Sequence, residues 1–445
     1  MEWIEEVERR NGGVPTELTE ELHGFLQNEA ITQESHIRFI DLNQRSLVGG
    51  VTPDRKAIET GFLDQLLDHL YGGEDAETIW SPCQSCSAKE RCEVLRAAYI
   101  FGPHKLRESA DWETRRRARQ RLFEALQAVH LRGETHITIR ELRAALVYVL
   151  FGIHFCEDYH DDVGVYTMPY WERAFVSNSP GRQGETLREL ARFDPAIEAH
   201  PQIDRYLLTK PAADESRIAP HYENLSLESA RRRAYFEWTE EHIEQVTGDP
   251  SALGLARGQD LQLFRNLALM QGVDEERKLR KRLCNGISRL EDLPPQALDR
   301  PDVVPLRIIP RTPTETAFWV EKPLTSFYVE AVLPPEVEGV ERLHRQVFLI
   351  YRYRDEQKER LRLGAELFHL LLELGEGYQL GDISTDDVFA NLSIFIQRLV
   401  REDERELLAW TPMQDESIYK VSVKMEMTPD GHQQKIVLDK IMQGV

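Results

Sequence analysis

Three cysteines crowd together early in the chain, and their spacing could bind a metal ion. They are Cys83, Cys86 and Cys92, in a Cys-x2-Cys-x5-Cys pattern. A short turn between the first two directs both sulfurs to one side, so that three thiolates can converge on one tetrahedral ion. The spacing predicts a zinc site, and reduced cysteines without a metal are the open alternative. An iron–sulfur cluster is disfavoured because nothing else in the sequence indicates electron transfer.

A closed zinc site needs a fourth ligand from elsewhere in the chain. Cys156 is the leading candidate because it follows a helix predicted to begin after Thr138. His104, His154 and His160 are the alternatives. Four protein ligands leave no coordination position for water, so the zinc is expected to be structural.

A second candidate site is the acidic segment from Glu157 to Asp162, which also contains a histidine. Metal phosphohydrolases use a His-Asp pair of this kind, together with a distant histidine and aspartate that the sequence does not identify. A solvated acidic loop is therefore the favoured interpretation. A nuclease site would combine Asp302 or Asp355 with the triplet Glu356-x-Lys358, but that triplet lies in a charged run typical of a solvated turn.

Arginines form two runs, 115–121 and 231–233, in which acidic residues are interspersed or adjacent. Such mixed charge predicts solvated helix faces. Arg140 differs, because it lies in the first turn of the helix for which Thr138 and Glu141 form a capping-box pattern. The helix dipole disfavours a cation there, so an anion is expected to compensate, either Glu141 or a nucleotide phosphate.

The sequence lacks the common catalytic signatures. It contains no Gly-x4-Gly-Lys-Ser/Thr and no Gly-Lys dipeptide, so it cannot build a phosphate-binding P-loop alone. Gly-x-Ser-x-Gly, His-Glu-x2-His and Gly-x-Gly-x2-Gly are also absent. Catalysis by the chain on its own is not expected.

Composition limits the partners and the compartment. The 445 residues include 55 basic and 76 acidic side chains, a net charge of −21 that repels phosphate backbones and anionic lipids. Nucleic acid could be reached only through local arginine patches or a partner. The acidic amino terminus is unlike a secretory signal, and the five cysteines do not suggest a disulfide framework. No apolar stretch reaches the ~20 residues of a membrane span. The sequence therefore predicts a cytoplasmic protein.

Periodicity predicts an α+β protein whose first two thirds are mostly helical. Residues 1–75 form a partial α/β unit in which an orphan strand at 36–42 is followed by a helix opening at 52–54. A single strand must pair with a sheet elsewhere. The zinc loop and a helical lid follow over 76–165, with a basic helix at 110–130, then a helical domain over 166–300. An α+β interaction domain over 301–445 alternates strands with helices at 365–374 and 387–400.

Several segments together carry a family resemblance. They are His-Ile-Arg-Phe-Ile-Asp-Leu-Asn-Gln-Arg-Ser-Leu at 36–47, Ser-Pro-Cys-Gln-Ser-Cys-Ser-Ala-Lys-Glu-Arg-Cys at 81–92, His-Ile-Thr-Ile-Arg-Glu-Leu at 136–142, and the continuation from Tyr-Trp-Glu-Arg-Ala-Phe at 170–175 to Ile-Asp-Arg at 203–205. This pattern resembles the carboxy-terminal half of bacterial AAA-like P-loop ATPases of anti-phage and DNA-restriction systems, such as the ATPase of phosphorothioation-dependent restriction. It spans roughly residues 15–290.

The resemblance implies a half-site component that docks on an ATPase or another defence-system subunit and meets ATP only there. The Walker A and B core of that family is absent from these residues. Arg140 would occupy a lid position that reaches a nucleotide phosphate, and Arg45 would offer a charge to a neighbouring site. The alternative function is a metal-dependent phosphohydrolase or nuclease that uses the acidic segment or a site in the carboxy-terminal domain.

Overall fold

The computed structural model describes most of the chain. The described residues are 2–26, 45–102, 111–133, 137–161, 168–176, 184–209, 225–269, 272–290, 293–308, 316–334, 336, 340–353, 358–378, 386–401, 407–410, 417–428 and 431–442. The predicted orphan strand at 36–42 and His104 lie outside these ranges.

Helices dominate the part of the chain before residue 300. They are α1 Glu2–Arg10, α2 Glu17–Leu26, α3 Gly61–Leu70, α4 Ala76–Trp80, α5 Glu93–Phe101, α6 Trp112–Arg132, α7 Ile139–Phe151, α8 Cys156–Asp161, α9 Tyr170–Phe175, α10 Glu185–Leu190, α11 Pro201–Thr209, α12 Leu227–Glu237, α13 Glu240–Thr247, α14 Gly258–Asn266, α15 Val273–Leu290 and α16 Pro295–Leu298. Two further helices follow, α17 Ala365–Glu376 and α18 Asp386–Arg401.

Strands concentrate after residue 300. A hairpin of β1 Gly50–Val51 and β2 Ile58–Glu59 precedes them, and the later strands are β3 Val303–Arg307, β4 Ala317–Pro323, β5 Phe327–Val332, β6 Gln346–Arg352, β7 Lys358–Leu363, β8 Leu407–Trp410, β9 Ile418–Thr428 and β10 Gly431–Met442. They form antiparallel sheets ordered β10-β9-β8-β4-β3 and β5-β6-β7. The α+β prediction, helical first and strand-rich later, is confirmed.

Two local predictions were wrong. The helix expected to open at 52–54 begins at Gly61, because Thr52 closes the β1–β2 hairpin with a hydrogen bond from its backbone N–H to the Ala57 carbonyl, 2.9 Å. The charged run expected to form a solvated turn contains β7, which pairs with β6 from Val347 opposite Leu363 to Arg352 opposite Lys358. Its alternating burial, with Leu361 and Leu363 inside, is typical of a strand with one face on the core.

Backbone pairing joins the amino-terminal segment to the strand-rich part. The N–H of Ser46 donates to the carbonyl of Glu341 at 3.0 Å, and the N–H of Val51 donates to Arg342 at 2.8 Å. The Glu341 carboxylate accepts from the N–H of Phe62 at 3.1 Å. Residues 45–62 are therefore attached to the segment around Glu341, while the pairing expected of the strand at 36–42 stays a prediction.

One continuous core holds the helices and the three-stranded sheet together. It runs from Leu47 to Leu399 and crosses the predicted domain boundaries at 75, 165 and 300. α6 lies near its centre and packs against α5, α10, α12, α14 and α17. No helix of the described residues is both long enough and apolar enough to cross a membrane.

Helices α15 and α17 cross with their backbones in close contact. A Cβ added to Gly286 would lie well inside van der Waals distance of the Leu371 carbonyl oxygen, and one added to Gly375 would lie 2.6 Å from the Arg282 carbonyl oxygen. Only hydrogen at both positions permits this approach. α15 also contacts β3 and β5, so the crossing fixes the helices on the sheets.

A buried histidine gives the fold a specific pH response. His344 is fully buried, its Nε2 lies 3.0 Å from the Phe264 carbonyl oxygen, and burial lowers its pKa to about 4. The unfolded chain binds a proton near pH 6.5 and the folded chain does not, so this residue costs stability progressively as pH falls from about 6.5 to 4. We expect His344→Gln to flatten that part of the pH dependence of the free energy of unfolding, measured by urea denaturation. An unchanged slope between pH 6.5 and 4 would contradict the assignment.

Candidate functional site

The cysteine loop is built from two short 3₁₀ turns that precede α5. The turns span Ser81–Ser85 and Lys89–Arg91, and they are closed by backbone hydrogen bonds from Cys86 to Cys83 at 3.4 Å and from Cys92 to Lys89 at 3.4 Å. The N–H of Ala88 donates to the Cys86 sulfur at 3.4 Å. This hydrogen bond holds the Cys86 sulfur in place on the loop.

Helix α8 brings further ligand candidates to the same loop. His160 Nε2 lies 3.4 Å from the Cys86 sulfur, and its Nδ1 lies 3.3 Å from the Ser87 hydroxyl. Arg91 donates through Nε to the Tyr159 carbonyl at 3.1 Å, which fixes α8 against the loop. Cys156 lies one helical turn before His160, so both project from the same side of α8.

The charge of Cys156 influences two of the loop cysteines. Burial raises the pKa of the Cys83 thiol, and the charges of Cys86 and Cys156 raise it further. Burial also raises the pKa of the Cys92 thiol, to which Cys83 and Cys156 contribute in the same direction. The thiols are free of disulfides. Deprotonating this group of thiols requires a nearby cation, which a bound metal ion would provide.

The spacing of the side chains sets a limit on this site. Among the described His, Cys, Asp and Glu residues, no three lie close enough together to hold a metal ion. Of the alternative fourth ligands, His154 instead lies 3.6 Å from the Asp158 carboxylate and packs against the Tyr159 ring. His160 is the described residue whose side chain contacts a loop cysteine, Cys86, and the sulfurs of Cys83, Cys92 and Cys156 do not converge on one point.

The acidic segment does not form a cluster around its histidine. His160 contacts a sulfur and a hydroxyl of the cysteine loop. The Asp158 carboxylate accepts from the N–H of Phe155 at 2.7 Å at the start of α8. Asp162 lies outside the described residues. Of the alternative nuclease residues, Asp355 and Glu356 also lie outside them, whereas Asp302 immediately precedes β3 and Lys358 begins β7.

Arg140 lies in the first turn of α7, and its side chain is exposed. The predicted capping box is present: Glu141 N–H donates to the Thr138 hydroxyl at 3.2 Å, and the Glu141 carboxylate accepts from the Thr138 N–H at 3.2 Å. The other end of α7 is held by Arg173, which donates to the carbonyls of Val149 at 2.8 Å and Leu150 at 3.0 Å. Glu141 therefore serves the cap, and no described residue forms an ion pair with Arg140.

Arg45 occupies a different environment. Its guanidinium lies over the Phe62 ring, 5.2 Å from the ring centre. Burial raises the pKa of Glu341, and the charge of Arg45 opposes that increase. The Arg45 Nε is buried without a hydrogen-bond acceptor among the described residues. No contact links Arg45 with Arg140 in the part of the chain that the structure describes.

Most arginines of the two runs are buried, which corrects the prediction of solvated helix faces. Arg115, Arg117 and Arg121 of α6 are at most 8% exposed, and Arg231 and Arg233 of α12 at most 7%. Their helices lie inside the bundle, where acids of other elements surround them. The pairs include Arg117 with Glu240, Arg119 with Asp68 at 2.6 Å, Arg231 with Asp204 at 2.5 Å and Arg232 with Asp194 at 2.7 Å.

Two large cavities border this arginine-rich interior. The larger, about 880 Å³, lies between α6, α14 and α17 and contains Arg117, Arg121, His369 and Asp260. His369 Nδ1 pairs with the Asp260 carboxylate, so the histidine is already engaged. The second, about 730 Å³, lies between α3 and α6. The sequence did not predict either cavity, because arginines that alternate with acidic residues are typical of solvent-exposed helix faces and not of a cavity wall.

No protein-family model matches this chain, and no curated protein or solved structure is significantly similar to it. Function is therefore inferred from the contacts of the described residues.

Proposed function

We propose that this chain is the lid-side half of an AAA-like P-loop ATPase in a bacterial anti-phage or DNA-restriction system. It docks on an ATPase subunit that carries the phosphate-binding loop, and the nucleotide lies between the two. Arg140 contacts a phosphate of that nucleotide. The phosphate-binding loop comes from outside these 445 residues, because they contain no Gly-Lys dipeptide. We also propose that the protein acts in the cytoplasm.

The position of Arg140 carries the proposal. An unpaired guanidinium in the first turn of α7 is disfavoured by the helix dipole. Its neighbour Glu141 is occupied by the capping box, so it does not compensate the charge. Since Arg140 is exposed and its helix is fixed at both ends, it can present a guanidinium to a phosphate with little reorganisation. Arg45, whose Nε is buried without an acceptor, is the second proposed cation.

A structural zinc ion is part of the proposal. Cys83, Cys86, Cys92 and Cys156 would supply four sulfur ligands once their side chains turn toward the ion, and His160, whose Nε2 lies 3.4 Å from the Cys86 sulfur, would support that ligand. Zinc would then join α5, which follows the loop, to α8, which follows α7. Since α5 and α7 pack against each other, the ion stabilises the element that presents Arg140.

The Arg140 proposal predicts a specific loss of ATP hydrolysis. We expect Arg140→Ala to lower the ATPase rate of the assembled complex at least tenfold, because a cation at the transferring phosphate is removed. The complex is purified from its native host through a tag on this chain. Its rate is measured in Mg-ATP after mass spectrometry has identified the subunit that contains a P-loop.

The matched control is Arg143→Ala, which removes an exposed arginine one turn further along the same helix. It should leave the rate within twofold of the wild type. Equal losses in both variants, or no co-purifying P-loop protein, would contradict the proposal. So would sustained ATP hydrolysis by the isolated chain that Arg140→Ala abolishes.

A further inference from the structure

The cavity between α3 and α6 contains a guanidinium that has no partner. Arg115 is 4% exposed, and its Nε and Nη1 are fully buried with no hydrogen-bond acceptor. No ion pair or hydrogen bond links its side chain to any described residue. Burial and the charge of Arg119 lower its pKa to about 10 against the opposing charge of Asp68, so the group remains charged at neutral pH. An unpaired buried charge is costly, which makes this residue unusual in a folded protein.

The carboxylates around the cavity are already engaged by other groups. Asp64 and Asp68 pair with Arg119 at 3.3 and 2.6 Å. Glu124 accepts from the Gln120 amide at 3.1 Å and lies 3.7 Å from Arg265. Arg116, exposed at the cavity edge, has no partner among the described residues. The cavity wall therefore has two cations without an ion-pair partner among the described residues, Arg115 inside and Arg116 at the entrance.

The remaining wall is apolar and aromatic. Ile58, Phe123 and Leu269 line it, and Trp112 stands one turn before Arg115 with 65% of its surface exposed. The volume, about 730 Å³, is in the usual range of small-molecule sites. Guanidinium groups pair with phosphate oxygens through two parallel hydrogen bonds, and indole rings stack on nucleobases.

We propose that this cavity binds a mononucleotide, whose phosphate pairs with Arg115 and Arg116 and whose base stacks on Trp112. The site is separate from Arg140, and it does not depend on the proposed ATPase function. A mononucleotide is favoured over an oligonucleotide because the unpaired cation is enclosed, whereas the net charge of −21 repels a long phosphate backbone.

The test is calorimetric titration of the purified full chain with ATP, AMP, adenosine and inorganic tripolyphosphate. We expect ATP and AMP to bind, adenosine to bind at least tenfold more weakly than AMP, and tripolyphosphate to bind more weakly than ATP.

Arg115→Met should weaken AMP binding at least tenfold, and Arg116→Ala, at an exposed position, should weaken it severalfold. Trp112→Ala should weaken AMP but leave tripolyphosphate unchanged. Arg143→Ala, which removes an exposed arginine on α7, is the control and should bind AMP as the wild type does.

Thermal denaturation tests whether Arg115 serves a ligand or instead stabilises the fold through an internal ion pair. Without nucleotide, Arg115→Met should unfold at the same temperature as the wild type or higher, because it removes an unpaired buried charge. A clear decrease of its unfolding temperature with unchanged AMP binding would overturn the proposal. Absence of nucleotide binding at millimolar concentration would overturn it too. Tripolyphosphate binding equal to that of ATP, or preference for a single-stranded oligonucleotide over AMP, would overturn the mononucleotide assignment.

Discussion

Replacing Gly286 by alanine is expected to lower the free energy of unfolding by about 3 kcal/mol or more, because an added methyl group meets backbone rather than a movable side chain. The obstacle is the Leu371 carbonyl of α17, together with its carbon and Cα. Relief requires the two helices to separate, which opens the core around Leu283 and Phe368. The measurement is the midpoint of urea denaturation followed by circular dichroism.

Gly61→Ala is the control for this substitution. Gly61 is also helical, at the first position of α3, but a Cβ there meets no atom within 4 Å. It should be neutral or slightly stabilising, because alanine restricts the unfolded chain more than glycine does. Gly375→Ala should resemble Gly286→Ala, since its Cβ would approach the Arg282 carbonyl oxygen. Equal midpoints for Gly286→Ala and the wild type would show that the helices do not cross so closely.

Removing zinc is the second large perturbation. We expect the purified chain to contain about one zinc ion, and its removal by a chelator to lower the unfolding temperature, because metal-binding free energy stabilises only the folded loop. Elemental analysis measures the content, and differential scanning fluorimetry measures stability before and after chelation and after zinc is restored. A metal-free preparation of undiminished stability would contradict the proposed site.

Cysteine variants identify the ligands. Cys83→Ser and Cys92→Ser should each reduce zinc retention during dialysis to a small fraction, and so should Cys156→Ser if it is the fourth ligand. Cys284→Ala is the control, because Cys284 is buried in α15 and belongs to another part of the core. His160→Ala should weaken zinc binding about 10- to 100-fold, as expected for a residue that supports a ligand. If Cys156→Ser retained all of its zinc and His160→Ala lost it, His160 would be the fourth ligand and Cys156 would not.

The sequence predicted helix starts and strands that are determined by residues close together in the chain. The Thr138 and Glu141 pattern predicted the start of α7 because a capping box involves only residues three apart. Helix α6 was predicted at 110–130 and spans Trp112–Arg132. The strand-like runs at 303–309, 317–320, 326–332 and 346–354 predicted β3, β4, β5 and β6 within a few residues.

Contacts between distant segments explain the failures. Sequence position placed Arg115 and Arg231 beside acids on their own helices, which suggested solvent exposure. The structure pairs Arg231 with Asp204 of another helix, and only the packing of α11 against α12 reveals that partner. β7 was missed because its outward face is all charged, so its short alternation was masked by composition.

The candidate site was predictable to different degrees. Cys83, Cys86 and Cys92 share a local spacing, so their loop could be recognised, whereas the approach of His160 to Cys86 depends on how α8 folds back. Arg115 had no distinguishing signal in the sequence, because it differs from the exposed Arg116 beside it in being buried, and burial depends on how the helices pack.

The hydrogen bond between Phe62 and Glu341 joins residues 279 positions apart in the chain. During synthesis, at roughly 5–20 residues per second, the early segment must wait on the order of a quarter of a minute to a minute before its partner leaves the ribosome. Until then its edge and its apolar side chains are exposed to solvent, where a chaperone can hold them. Translation rate and chaperone supply should therefore influence the yield of this protein more than that of proteins whose neighbouring segments pair as they emerge.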